Sequence, residues 1–248
     1  MNVTPINSLR VQLFADGADL KGIEALAANP LVKGFTTNPT LMRQAGVTDY
    51  VAFAKDVLKI VPDRPVSFEV FADDLDTMAK QARVIASWGP NVYVKIPVTT
   101  TKGEFVGPIV SELSKEGVQL NVTAILTLEQ VQDIADVLHV GTPAVVSVFA
   151  GRIADTGRDP IAVMSTARML LESRPKAELL WASPRELLNI YHAEEAGCHI
   201  ITVGHDLLKK LSLVGKDLAG YSLETVAMFY RDATAAGYDI PLHAPVLA

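Results

Sequence analysis

Asn91-Val-Tyr-Val-Lys-Ile-Pro97 places one lysine in the middle of a run of β-formers closed by a proline. Strand side chains alternate, so Tyr93, Lys95 and Pro97 share one face while Val92, Val94 and Ile96 make the other uniformly aliphatic. A lone strand lysine is ordinarily an exposed one. If this one is buried, desolvation either costs several kcal/mol or drives the ammonium towards its neutral form. A neutral primary amine attacks carbonyl carbons.

Other polar residues fall at or near the ends of apolar runs. Asp16 closes the first such run, Thr37 and Asn38 close the second, and Glu69 lies in the third. Asn121 and Thr123 share one face of the fifth run, Ser147 and Phe149 one face of the sixth, just ahead of Gly151-Arg152, and Ser183 and Arg185 follow the seventh. Each has an ordinary explanation as a helix cap, turn former or strand hydrogen-bonder. One polar group at almost every strand end is more than backbone satisfaction requires. An amine with carboxylates suits Schiff-base chemistry on a carbonyl substrate: amine attack, acid-assisted loss of water, then C–C cleavage with a carboxylate moving protons.

Other chemistries lack their motifs. No Gly-x-Gly-x-x-Gly or P-loop is present, and His139, His192, His199, His205 and His243 lack spacing suited to a metal. Cys198, in Ala196-Gly-Cys-His-Ile200, reads as packing rather than as a nucleophile. The inventory therefore calls for no metal and no cofactor.

The elements that would position these groups repeat in one rhythm. Strand-like runs at Val11–Ala15, Gly34–Thr37, Val66–Phe71, Val92–Ile96, Gln119–Ala124, Ala144–Phe149, Glu178–Ala182 and Ile200–Val203 are interleaved with amphipathic stretches. The helical stretches are Asp19–Ala28, Thr48–Val61, Asp74–Ser87, Thr127–Val140, Asp159–Ser173, Ser183–Ala196 and His205–Leu213. About eight such units in this length predict an α/β fold, a (β/α)8 TIM barrel formed by a single domain over residues 1–248, with strand ends converging on one mouth. Leu223–Ala236 is an additional C-terminal helix that would cover its own barrel's rim or a neighbouring subunit.

Composition fits that outline. The chain is 49% hydrophobic and 20% charged, without linker-like or low-complexity tracts, and its net charge of −6 with scattered Lys and Arg argues against nucleic acid. One cysteine allows no internal disulfide. No leader pattern opens the chain at Met1 and no stretch approaches a membrane span, so a cytoplasmic location is expected.

Gly34-Phe-Thr-Thr-Asn-Pro-Thr40, Val94-Lys-Ile-Pro97, Asn121-Val-Thr123 and Ser147-Val-Phe-Ala-Gly-Arg152 resemble the transaldolase family, and the likeness runs from Phe14-Ala-Asp16 to Ala196-Gly-Cys198. The resemblance implies a metal-free class I barrel enzyme in which Lys95 forms the Schiff base with a ketose phosphate and hands a dihydroxyacetone unit to an aldose. It further implies that Asp16 is the acid/base at the hydroxyl whose deprotonation breaks the C–C bond, and that Glu69 and Thr123 activate the water of imine formation. Asn38 and Asn121 would hold the substrate hydroxyls, with Ser147 lining the same pocket and Thr37 and Phe149 beside it. Arg152 and Arg185, helped by Ser183, would grip a phosphate or another anion.

A compact branch similar to fructose 6-phosphate aldolase releases free dihydroxyacetone. It typically has glutamine and tyrosine where this chain has Glu69 and Phe149, so these two residues look like transaldolase, while the chain length looks like the compact branch. Pro184 stands where the larger transaldolases often have an aromatic. The family likeness implies a homo-oligomer, a ring-stacked decamer in the compact branch or else a dimer. A phosphosugar-binding barrel without catalysis is the remaining reading.

Overall fold

The computed structural model describes residues 3–242. Met1, Asn2 and His243 lie outside the described residues, and with them the start of the expected leaderless N-terminus. The strands are β1 (Gln12–Asp16), β2 (Val32–Thr36), β3 (Val66–Glu69), β4 (Val92–Pro97), β5 (Leu120–Ile125), β6 (Ala144–Val148), β7 (Ala177–Trp181) and β8 (Ile200–Gly204). Each pairs in parallel with the next, and β8 pairs with β1, closing the barrel that the alternation predicts. The intervening helices are α1 (Leu20–Ala27), α2 (Pro39–Gln44), α3 (Tyr50–Ile60), α4 (Leu75–Ala86), α5 (Gly107–Lys115), α6 (Leu128–Val137), α7 (Ala150–Asp155), α8 (Pro160–Leu170), α9 (Leu188–Glu195) and α10 (His205–Leu208), and α11 (Leu218–Ala235) follows the barrel. Among the described residues, no helix is long and apolar enough to cross a membrane.

Two apolar layers hold the barrel. Val92, Val94 and Ile96 join the large cluster between strands and helices, as the aliphatic face of β4 predicts. Inside, a smaller cluster of Phe14, Val145, Leu180, Ala182 and Ile200, joined by Tyr93 and Phe149, fills the lumen beneath the polar strand ends. Side-chain caps start most helices. Asp19, Asp49 and Asp74 accept from Gly22, Ala52 and Thr77, and Thr127 makes a reciprocal box with Gln130. Asp16 caps none of these helices and accepts instead from the Thr36 hydroxyl.

The structure corrects the element reading in five places. Helix α5 goes unread in the sequence because Gly107-Pro108 looks like a break, although a proline fits the first helical turn without losing a hydrogen bond. Short α2 and α7 are also unread. Strand β3 ends at Glu69 rather than Phe71, because the Phe71 and Ala72 amides turn to the Gln81 side chain. The stretch from Ser183 to Leu187 is loop, not helix: Ser183 has φ +59°, and the Arg185 and Glu186 amides are held by Asn189 Oδ1.

Candidate active site

Strand register brings the reacting groups together. Glu69 on β3 pairs directly with Lys95 on β4, Lys95 with Asn121 on β5, and Pro97 with Thr123. On the opposite side of the lumen, Asp16 on β1 pairs with Thr36 on β2 and Gly204 on β8.

Lys95 is only 7% exposed. Its Nζ lies 3.3 Å from Glu69 Oε2 and donates to the Thr37 carbonyl at 3.1 Å. The strand lysine is therefore inside, with a carboxylate beside it. Glu69 is itself held from outside the barrel: Tyr50 on α3 donates its hydroxyl proton to the Glu69 carbonyl at 3.0 Å and accepts from its amide at 2.7 Å. Burial pushes the Tyr50 phenol well above its ordinary pKa, so it stays a neutral clasp.

Burial also pushes the Asp16 carboxyl above the usual carboxylate range, opposed by the positive charge of Lys95 and by a hydrogen bond from Thr36 Oγ1 at 2.7 Å. The Thr36 hydroxyl in turn meets that of Thr202 on β8. A carboxyl held this way suits proton exchange with a substrate hydroxyl.

These groups open on one cavity of about 480 Å³, lined among others by Asp16, Asn38, Glu69, Lys95, Thr123 and Ser147. Phe149, Arg152 and Ser183 line it too. Thr123 lines it as well, and its buried hydroxyl has no protein partner among the described residues. Next to Thr123, Ala124 adopts φ +62° at a bulge in β5, which shifts the register between Val122 and Ile125. The Arg152 guanidinium, on α7, lies over the Phe149 ring at 5.0 Å from its centre.

Three predicted residues stand elsewhere. Thr37 is fully buried, its hydroxyl spent on the Ser67 carbonyl, and it meets Lys95 only through its own carbonyl. Parity explains this, since adjacent Thr36 takes the inward position. Asn121 lies beneath the cavity, donating to Ser67 Oγ at 2.9 Å and accepting from Ser147 Oγ at 2.6 Å, so it braces the floor. Arg185 lines an adjoining cavity of about 610 Å³ with Pro184 and His205, and its guanidinium forks onto Asp155. Asn38 lines the main cavity, but its Oδ1 caps α2 by accepting from the Leu41 amide at 3.0 Å. The cap uses the oxygen alone.

Sequence reasoning missed Thr36, Ser67, Thr202 and Tyr50. Thr36 and Ser67 carried a period-two signal, two residues from inward-facing positions. Tyr50 carried none.

Comparison with known proteins shows the family. The family model described as Transaldolase/Fructose-6-phosphate aldolase matches residues 13–241. This chain belongs to the transaldolase/fructose-6-phosphate aldolase family. Among relatives, it is 35% identical over 202 residues to a probable transaldolase of Dehalococcoides mccartyi, covering 81% of this chain and 90% of that protein. It is 35% identical over 215 residues to probable transaldolase 2 of Listeria monocytogenes, covering 85% and 94%. A Streptococcus agalactiae probable transaldolase is 37% identical over 194 residues, with 78% and 86% covered. Among solved structures, KGPDC from Streptococcus mutans superposes with a TM-score of 0.51 over 82% of this chain and 90% of the other at 13% identity, a likeness of fold alone.

Proposed function

We propose that this family member is a class I transaldolase, with Lys95 as the amine that carries a dihydroxyacetone unit from a ketose phosphate to an aldose. The observation that carries the reading is a lysine amine withdrawn from solvent, 3.3 Å from the Glu69 carboxylate and sharing one cavity with the raised Asp16 carboxyl. In this mechanism Nζ adds to the C2 carbonyl and the carbinolamine loses water to give an iminium. Glu69 and the Thr123 hydroxyl handle that water. Asp16 takes the proton of the C4 hydroxyl, the C3–C4 bond breaks, and its electron pair passes into the enamine as the aldose leaves. Addition of the enamine to a second aldehyde reverses the sequence, and water then frees the ketose. Asn38 and Ser147 are suited to the hydroxyls of the three-carbon unit, and Arg152 to an anionic end.

The same reading includes a chemistry that calls for no metal or cofactor, sugar rather than nucleic-acid partners, and a cytoplasmic location. It also includes a homo-oligomer. Helix α11 buries no residue against its own barrel and leaves Leu223, Val226, Phe229 and Tyr230 exposed, an apolar surface that a second copy would cover.

The test is borohydride reduction with fructose 6-phosphate, followed by peptide mass mapping. An adduct on Lys95 with loss of activity is expected, and an unmodified Lys95 would overturn the reading. Turnover measured with and without erythrose 4-phosphate separates transfer from release of free dihydroxyacetone; dependence on the acceptor is expected.

A further inference from the structure

Helix α7 carries two charged residues one turn apart, Arg152 and Asp155. Arg152 lines the main cavity and has no carboxylate partner among the described residues. Asp155 takes the other guanidinium of the neighbourhood. Arg185 Nε donates to Asp155 Oδ1 at 2.9 Å and to Oδ2 at 3.2 Å, and its Nη2 also meets Oδ2. The fork is therefore closed on a side chain of the protein itself. The Arg185 hydrogen bonds hold the Asp155 carboxyl below the usual carboxylate range, and both side chains are about half exposed, at 51% for Asp155 and 47% for Arg185. The Arg185 amide donates to Asn189 Oδ1 at 2.7 Å.

From this arrangement we infer that Asp155 sets substrate specificity by acting as a latch: its carboxylate competes with the anionic end of the substrate for Arg185. This inference rests on the reading that the donor is an anionic ketose. An exposed ion pair of this kind is weak, so a phosphate can displace the carboxylate, while a neutral sugar gains nothing by doing so. A transferase has reason to keep that grip loose. The first aldose must leave and a second must enter while the three-carbon unit stays on Lys95, and an uncontested Arg185 guanidinium would hold an anionic aldose for longer. Asp155 is a positioning residue here, since it acts through Arg185.

The experiment compares wild type with Asp155→Asn, Asp155→Ala and the double variant Asp155→Asn/Arg185→Met, all as the full chain. Calorimetric titration with inorganic phosphate and the KM for fructose 6-phosphate are the readouts. Both constants should fall about two- to fivefold in the single variants, the range expected from releasing an exposed pair. The half-saturating concentration of neutral dihydroxyacetone for borohydride trapping at Lys95 should not follow them. In the double variant the gain should vanish.

Phosphate affinity that is unchanged or weaker in the single variants would overturn the latch, the latter by making Asp155 an aid to Arg185. A gain that survives in the double variant would also overturn it, because simple relief of charge repulsion would then suffice. Phosphate titration needs no turnover, so a wild type that forms no Lys95 adduct sinks the Schiff-base reading alone.

Discussion

Glu69 and Lys95 are direct partners across the β3–β4 ladder, and their side chains meet at 3.3 Å on the lumen side. Both side chains line the same cavity. Glu69→Gln keeps the volume and removes the proton carrier, so kcat should fall about 100-fold with the far-ultraviolet dichroism intact. Lys95→Met should form no borohydride adduct. A Glu69→Gln enzyme with wild-type kcat would remove Glu69 from the proton traffic.

The Thr36 hydroxyl stabilises the ionised form of Asp16, so Thr36→Val should lift an already raised carboxyl further. The base form is the one required for C–C cleavage, and the acid limb of kcat/KM should therefore move to higher pH; an unmoved limb would mean Asp16 is not the titrating base. Folding follows the same sign. A carboxyl raised in the native state contributes stability while protonated and loses it as pH rises through its folded value. Asp16→Asn should consequently raise Tm at neutral pH, with the gain shrinking as pH falls towards the ordinary carboxylate range.

Gly151 fills the second position of α7 with its amide bonded to the Ala182 carbonyl, and a β-carbon there would lie 1.6 Å from the Ser183 carbonyl oxygen. Backbone cannot yield that far. Gly151→Ala should displace the Ser183 loop or α7, lowering Tm and raising the KM for an anionic donor; an enzyme unchanged in both would contradict the close approach.

Sedimentation should show a species well above the 26.7 kDa chain mass if α11 packs on another copy. Introducing Val226→Glu and Phe229→Glu together, on exposed residues of a helix that buries none of its own, should dissociate it while leaving the barrel's dichroism unchanged. A wild type that sediments as a monomer would overturn the assembly.

Much of the site was legible because two signals are local. The period-two run around Lys95 marks an inward and an outward face, and a polar group at nearly every strand end implies a shared mouth once the strands close into a ring. Thr37 shows the limit of that signal. Two adjacent threonines look alike in sequence, and only the pairing of Asp16 with Thr36 decides which one turns inward. Asn121 likewise pairs with Lys95 across the ladder, yet its side chain is fully buried between Ser67 and Ser147.

The sequence by itself determined the alternation of strands and helices, the family, and which amine and carboxylates stand as candidates, because periodicity and motif are properties of neighbouring residues. The tertiary structure alone decided that Tyr50 clasps Glu69, that Thr36 props Asp16, and that Asp155 occupies Arg185 from 30 positions away. Those contacts join residues on different strands and helices, and no local spacing encodes a distance that exists only after the barrel has closed.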